Sequence, residues 1–373
     1  MKSVVLSFFV TTSALLAQNL PSGTKALRDV AYVADGHERQ RLDLYLPEVG
    51  GKPMPLLIWI HGGGWQGGSK SGCPFLRQGY LEKGYAVASL DYRLTGDAPF
   101  PAQIEDCKAA IRWLRAHAGE YGLIPDAFGV GGSSAGGHLV ALVGTSGGVK
   151  EFDVGEHLDV SSAVQAVYDL FGPTDLIQFG QTPGYESHAR ADSPEGKLLG
   201  GAPAERVEQA TRANPITHIT PDDPPYFIVH GDADPTVPIQ QSQLLHAALV
   251  NAGIPSRFTT IKGGGHGKGF PGEPLAALAA EFFDRHLKGS PESASWPVAM
   301  TSEMDAVEMP EGAGRPKAGN RPKISFDVVL KREDANGDGQ VSREEFKGPP
   351  PLFGRFDANG DGVLTRSEFE GGR

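Results

Sequence analysis

The sequence predicts an α/β fold with a doubly wound, mostly parallel sheet, followed by a small, separate C-terminal module. Short β-rich runs alternate with longer helical patterns up to residue 288, and such alternation is typical of parallel crossover connections. A stretch rich in Pro, Ser, Glu and Gly follows without periodicity, as in a linker. Two acidic segments of nearly the same sequence come next, and they match neither the strand–helix alternation nor the linker composition. We therefore expect a main domain at 18–288, a linker at 289–323 and a module at 324–373.

The N-terminus predicts export. Lys2 precedes an apolar run from Val4 to Leu16, and Ala17 stands before Gln18. The run is shorter than the roughly 20 apolar residues that a membrane-spanning helix needs, and the order of charge, apolar run and small residue is typical of a signal peptide. We expect residues 1–17 to be a signal peptide and the protein to be secreted or periplasmic.

The main domain is expected to open with an antiparallel hairpin and to continue as alternating strands and helices. The hairpin is predicted from Val30–Val33 and Arg41–Leu46, which flank a polar turn at 34–36. The later strands are predicted at Leu56–Ile60, Tyr85–Asp91, Phe128–Gly131, Ala163–Tyr168, Tyr226–His230 and Arg257–Ile261, and helices at Ile104–Ala118, Gly137–Thr145, Ser242–Ala252 and Pro274–Leu287. The segment Phe171–Asp223, rich in Gly, Pro and charge, is expected to be a lid or cap beside a pocket.

The net charge limits the kinds of binding partner that are expected, and the number of cysteines limits the disulfides that can form. The formal net charge of -11 argues against a nucleic-acid partner, because such binding depends on Lys and Arg at phosphates. The chain has two cysteines, Cys73 and Cys107. In an oxidising compartment they could form one disulfide, or they could be two buried free thiols. The sequence leaves both alternatives open.

The predicted strand at Phe128–Gly131 leads into Gly132-Ser133-Ser134-Ala135-Gly136, a G-x-S-x-G sequence in front of a predicted helix. A serine on a sharp strand-to-helix turn has strained backbone geometry, and bulky neighbours would collide there. Ser134 is therefore the candidate nucleophile.

A serine hydroxyl needs a base, and the base needs an orienting acid. Asp232 and Asp234 follow the predicted strand Tyr226–His230, and we prefer Asp234 because Asp232 is better suited to bonding its own loop backbone. Of the 11 histidines, His266 has the order, spacing and Gly-rich loop context expected of the base. The predicted triad is Ser134, Asp234 and His266.

The loop His61-Gly62-Gly63-Gly64-Trp65 follows a predicted strand and offers unobstructed backbone N–H groups to an oxyanion. We favour the N–H groups of Gly63 and Gly64, with Trp65 as a substitute. The N–H group of Ala135 is expected to join them.

These motifs together resemble the α/β-hydrolase superfamily, and within it the hormone-sensitive-lipase-like and feruloyl or acetylxylan esterase-like carboxylesterases. The matching segments are HGGGW, SLDYRL, DCKAAIRWLRAH, GGSSAGGHLVAL, SPEGKLLGG, YFIVHGDADPTVP and GGGHG, across most of residues 25–287. The resemblance implies a serine carboxylesterase that needs no cofactor for catalysis. Its implied substrates are short acyl esters, among them acetyl or feruloyl groups on plant polysaccharide.

Three other functions remain as alternatives. The HGGxW feature also occurs in kynurenine formamidase-like amide hydrolases, and related folds include peptidases. A calcium-dependent, non-catalytic adhesion or scaffold protein is the alternative of a different class, although it would have no reason to retain Ser, Asp and His in this arrangement.

The C-terminal module contains two matches to the calcium-binding loop D-x-[DN]-x-[DN]-G-x5-E, in which oxygen ligands at positions 1, 3, 5, 7 and 12 surround one hard cation. The module resembles an EF-hand pair shortened toward dockerin-like proportions, because only 346–356, with three prolines, separates the loops. We expect structural Ca2+ and an element able to dock a partner. The expected ligands are Asp334, Asn336, Asp338, Gln340 (carbonyl) and Glu345, then Asp357, Asn359, Asp361, Val363 (carbonyl) and Glu368.

Overall fold

A computed structural model describes residues 20–48, 51–291, 305–307, 330, 334, 336, 338–346, 359 and 361–366. The chain divides into two compact units, Met1–Gly314 and Arg315–Arg373. The predicted signal peptide lies outside the described residues. Among the described helices, none has both the length and the apolar character needed to cross a membrane.

In the described part of the first unit, nine strands form one sheet with the order β1-β2-β4-β3-β5-β6-β7-β8-β9. The strands are β1 (Lys25–Ala31), β2 (Arg41–Leu46), β3 (Met54–Ile60), β4 (Ala86–Leu90), β5 (Leu123–Ser133), β6 (Ala166–Leu170), β7 (Tyr226–Gly231), β8 (Ser256–Ile261) and β9 (Asp305–Val307). Pairing is antiparallel between β1 and β2 and between β2 and β4, and it is parallel from β4 onward. The predicted α/β fold with a mostly parallel sheet is confirmed.

The helices of the first unit connect the parallel strands and cover both faces of the sheet. They are α1 (Pro74–Arg77), α2 (Ala102–Ala116), α3 (Ala118–Tyr121), α4 (Ala135–Thr145), α5 (Leu176–Gln181), α6 (Pro194–Leu199), α7 (Val207–Ala213), α8 (Gln240–Asn251) and α9 (Gly272–Lys288). The central strand β3 is buried along its whole length. This burial explains why its sequence is a continuous apolar run and does not alternate.

Several strand boundaries differ from those predicted. The first hairpin strand is Lys25–Ala31, and its register with β2 shifts between Leu27 and Val30. The predicted strand Ala163–Tyr168 begins and ends later, at Ala166–Leu170, because β5 and β7 pair with it there. Within the stretch predicted as a linker, β9 pairs in parallel with β8.

The two cysteines are free and buried. Cys73 packs in a core cluster with Trp59, whereas Cys107 packs in a second cluster with Ile58. Trp59 and Ile58 are successive residues of β3, so their side chains point to opposite faces of the sheet. The two thiols therefore lie on opposite sides of the sheet, and no disulfide joins them. Burial raises the pKa of Cys73 to about 12 and keeps it a thiol.

In the described part of the second unit, β10 (Val341–Ser342) and β11 (Val363–Leu364) form an antiparallel pair. Val341 lies opposite Leu364, and both side chains are buried. Each residue is the eighth of its acidic loop, so this pairing joins the two predicted calcium loops back to back.

Candidate active site

Ser134 lies on a strained turn between β5 and α4, with φ 56° and ψ -123°. A non-glycine residue seldom adopts a positive φ, and such strain is typical of functional sites. The turn passes very close to the end of β3: a Cβ on Gly136 would lie 2.1 Å from the carbonyl oxygen of Ile60. Glycine is required there for the predicted steric reason, and the turn leaves the Ser134 side chain partly exposed.

The structure brings Ser134, His266 and Asp234 within hydrogen-bonding distance of one another. The Ser134 Oγ lies 2.9 Å from His266 Nε2, and His266 Nδ1 lies 2.8 Å from Asp234 Oδ2. The three residues follow β5, β8 and β7, whose carboxyl ends meet at one edge of the sheet. This explains how side chains 132 positions apart converge.

Asp234 is held as a carboxylate at the base of this arrangement. Its Oδ1 accepts hydrogen bonds from the backbone N–H groups of Thr236 (2.8 Å) and Val237 (3.0 Å). Burial acts to raise the pKa of Asp234, but hydrogen bonds from His230, His266 and these two N–H groups outweigh burial and hold the pKa well below its usual range. An ionised Asp234 requires His266 to carry its proton on Nδ1, which leaves Nε2 free to accept the Ser134 proton.

The glycine loop after β3 lies against the nucleophile. A Cβ on Gly62 would approach the Ser134 Cβ to 3.3 Å. Gly63 has φ +117° and Gly64 has φ +59°, and in the described part of the chain neither residue uses its N–H in a backbone hydrogen bond. Ala135 is the first residue of α4, where N–H groups lack partners within the helix. Donors for an oxyanion are therefore free next to Ser134.

With this geometry in place, comparison with known proteins identifies the family. Residues 42–249, more than half of the chain, match the BD-FAE family model. The chain belongs to the BD-FAE family. Residues 327–348 and 351–371 match the EF-hand model. The first unit is thus an α/β-hydrolase esterase domain, as the sequence motifs implied, and the second contains an EF-hand pair.

The relatives of this BD-FAE member are esterases by name. The chain is 32% identical over 191 residues to the probable carboxylic ester hydrolase LipM of Mycobacterium tuberculosis, covering 51% of this chain and 43% of that protein. It is 31% identical over 230 residues to the esterase LipQ of the same organism, covering 60% and 53%. The chain spans about half the length of these curated relatives.

Solved structures with the same fold are matched over a larger share of their own length. A truncated carbohydrate esterase from gut microbiota matches with a TM-score of 0.62 and 34% identity, covering 69% of this chain and 96% of that chain. The propionate-bound esterase Est2 of Thermogutta terrifontis matches with a TM-score of 0.56 and 27% identity, covering 73% and 97%.

Two residues that the sequence did not single out hold the glycine loop of this BD-FAE domain. His61 donates its Nδ1–H to the Gly62 carbonyl oxygen (2.8 Å), and Arg39 donates to His61 Nε2 (3.3 Å). Burial lowers the pKa of His61 to about 4, although the bond to Gly62 opposes this shift, so the ring is neutral at neutral pH. The bond fixes the peptide unit that carries the Gly63 N–H. Only the position of His61 in the HGGGW motif could have indicated this role.

Asp232, the alternative acid, serves the loop that carries His266. Its Oδ1 accepts a hydrogen bond from the Gly263 N–H at 2.6 Å. The expectation that Asp232 bonds its own loop was therefore wrong, because the loops after β7 and β8 run side by side. Asp232 thus holds the His266 loop near its start, at Gly263, and is not directed at the imidazole.

The insertion 171–223 folds as α5, α6, α7 and short 3-10 helices, and it contacts the site at several points. The Tyr185 hydroxyl donates to the Asp234 carbonyl oxygen at 2.5 Å. The Phe171 ring lies 4.6 Å from the His266 ring, centroid to centroid. Lys197 of α6 donates to Gln66, the residue directly after the glycine loop, at 2.7 Å. These contacts agree with a cap beside the triad.

The first EF-hand loop has the oxygen donors that a hard cation prefers. Asp334 accepts from the Gly339 N–H (2.9 Å), Asn336 from the Asp338 N–H (2.8 Å), and Asp338 from the Gln340 N–H (2.9 Å). These bonds close the loop, and its carboxylate and amide oxygens are donor types that suit Ca2+. The Glu345 carboxylate, however, accepts from the Ser342 hydroxyl at 2.7 Å.

In the second loop, Asn359 and Asp361 repeat this pattern, and Asp361 accepts from the Val363 N–H at 2.9 Å. The predicted ligands Asp357 and Glu368 lie outside the described residues. Within the residues that the structure describes, no group of three or more His, Cys, Asp or Glu side chains is arranged to hold a metal ion.

Proposed function

We propose that the chain is a secreted serine esterase that hydrolyses short acyl esters through a Ser134–His266–Asp234 triad. The observation that carries the proposal is the chain of two short contacts from Ser134 Oγ to His266 and from His266 to Asp234. Such an arrangement activates a hydroxyl that is otherwise a weak nucleophile.

In the proposed reaction the Ser134 Oγ attacks the ester carbonyl while His266 Nε2 takes its proton. Asp234 stabilises the imidazolium that forms. The N–H groups of Gly63, Gly64 and Ala135 donate to the oxyanion of the tetrahedral intermediate, and each such donor typically lowers the barrier by about 3 kcal/mol. His266 then protonates the leaving alcohol, and a water molecule activated by the same imidazole releases the acyl group.

The acylated substrate is proposed to be a carbohydrate ester carrying acetyl or feruloyl groups. Among the similar solved structures, two are named as a carbohydrate esterase and an acetyl ester-xyloside bifunctional hydrolase. Export, which the N-terminal pattern predicts, would bring the enzyme to such extracellular polymers. The EF-hand pair is proposed to bind Ca2+ as a structural ion, with Asp334, Asn336 and Asp338 among its ligands, and to provide a docking element.

The test is Ser134→Ala. This variant should lose turnover of a nitrophenyl acetate ester while its far-UV circular dichroism remains that of the wild type. Substrate class is then measured with acetylated xylan, methyl ferulate and nitrophenyl esters of rising chain length. Turnover by Ser134→Ala close to that of the wild type would refute the mechanism, and inactivity of the wild type on every ester would refute the proposed activity.

A further inference from the structure

A second histidine lies beneath the triad. His230, near the end of β7, is fully buried, and its Nε2 lies 3.4 Å from Asp234 Oδ2. The same nitrogen lies 2.9 Å from the Val237 carbonyl oxygen. A carbonyl oxygen can only accept, so the proton of His230 must be on Nε2, where it also faces the carboxylate.

The other nitrogen of His230 is fixed from a different element. The Ser242 Oγ, on α8, lies 2.7 Å from His230 Nδ1, and Ser242 is fully buried. With the imidazole proton on Nε2, the Ser242 hydroxyl donates to Nδ1. Ser242 thus pairs with the acceptor nitrogen and holds the ring with its N–H toward Asp234.

Asp234 is consequently held on both oxygens. Oδ2 is shared by His266 Nδ1 (2.8 Å) and His230 Nε2 (3.4 Å), and Oδ1 accepts from two backbone N–H groups. Val237 links the two sides, since its N–H donates to Asp234 and its carbonyl accepts from His230. The Phe171 ring lies 6.3 Å from the His230 ring and 4.6 Å from the His266 ring, and it packs against both imidazoles.

We propose that His230 is a positioning residue for Asp234, and that Ser242 fixes the tautomer of His230 that makes this possible. The inference rests on the proposed function and extends its triad by two buried side chains. Its chemical effect is to spread the negative charge of Asp234 over two donors. Loss of the His230 donor would concentrate that charge on the oxygen facing His266 and would favour the imidazolium form.

Two substitutions of His230 distinguish the effect of losing the Nε2–H donor from the effect of losing the ring. In His230→Gln the side-chain amide nitrogen reaches the place of Nε2, and in His230→Asn it reaches only the place of Nδ1. His230→Asn should lower kcat about tenfold with KM unchanged, since a looser Asp234 misplaces the base and not the substrate. In the pH profile of kcat/KM, the acid limb of this variant should move to higher pH by about half a unit. His230→Gln should retain kcat within about threefold and the wild-type limb.

The matched control is His246→Asn. His246 lies on α8, the helix that carries Ser242. Its Nδ1 lies 2.9 Å from the Ser256 Oγ, so it forms a His–Ser pair similar to that of His230. Its ring packs against Phe258, on the strand β8. This variant should keep the wild-type kcat and acid limb. Ser242→Ala is a second probe of the same hydrogen-bonded series from Ser242 through His230 to Asp234. It should move the acid limb in the same direction as His230→Asn does, by a smaller amount.

A readout independent of turnover is the NMR resonance of the proton between His266 Nδ1 and Asp234. It should shift in His230→Asn and stay in place in His246→Asn. An unchanged resonance and acid limb in His230→Asn, or equal losses in the Asn and Gln variants, would overturn the proposal. If His230→Asn does not fold, an unmoved limb in Ser242→Ala overturns it instead. Inactivity of the wild type would count against the esterase function alone, because the resonance still tests the contact.

Discussion

Asp169 offers a test of the energetics of the core directly behind the nucleophile. It lies on β6, is fully buried, and pairs in register with Gly132 of β5. Its Oδ1 accepts from the Gly172 N–H at 2.9 Å, whereas its Oδ2 has no hydrogen-bond partner in the described part of the chain. A Cβ on Gly137 would come within 2.4 Å of Oδ1, so the carboxyl group fills the space that this glycine leaves open. The perturbation is Asp169→Asn, which keeps the shape and removes the charge.

The magnitude follows from the pKa. Burial raises the pKa of Asp169 from 3.8 to about 7, and the bond from Gly172 opposes this only in part. The folded state therefore binds the proton more tightly than the unfolded chain. The resulting stability is complete below pH 3.8 and is lost as pH rises through 7. At about 1.4 kcal/mol per unit, the total is about 4 kcal/mol, and more than half of it is lost between about pH 5 and about pH 8.

The assay is urea unfolding followed by tryptophan fluorescence at these two pH values. All tryptophans of the chain lie in the unit Met1–Gly314, so the signal reports that unit. The stability of Asp169→Asn relative to the wild type should rise by roughly 2 to 3 kcal/mol between the lower and the higher pH. Asp159→Asn, at an exposed position, corrects for the loss of one charge. A relative stability that is the same at both pH values, within about 0.5 kcal/mol, would refute the reasoning.

Two further predictions concern the glycine loop and the EF-hand pair. Gly63→Ala should lower kcat about 100-fold or more, because its Cβ would meet the Gly67 carbonyl oxygen at 2.4 Å and the backbone has φ +117°. Gly67→Ala, whose Cβ meets no atom within 4 Å, is the control in the same ester assay, and equal rates for the two variants would contradict the assignment. Glu345→Gln should weaken Ca2+ binding by about tenfold or more in calorimetric titration of the full chain, since it removes a charge from the ligand at position 12. Glu344→Gln, at the neighbouring exposed position, should bind as the wild type does, and indistinguishable affinities would exclude Glu345 as a ligand.

The sequence alone determined the alternation of strands and helices in most of the main domain and the identities of Ser134, Asp234 and His266 as candidates. These features depend on local rules: apolar period, turn chemistry, and the glycines that a sharp strand-to-helix turn requires. The same rules marked two EF-hand loops, because their ligands are contiguous in the chain. Residue type and spacing carry this information without knowledge of distant contacts.

Only the tertiary structure decided what depends on distances between segments far apart in the chain. Arg39 and His61 meet because β2 and β3 both pair with β4, and no local pattern links them. Cys73 and Cys107 remain thiols because they pack on opposite faces of one sheet, a separation that sequence spacing does not reveal. Burial, which sets the charge state of a side chain and the strength of its hydrogen bonds, arises only when these elements pack together.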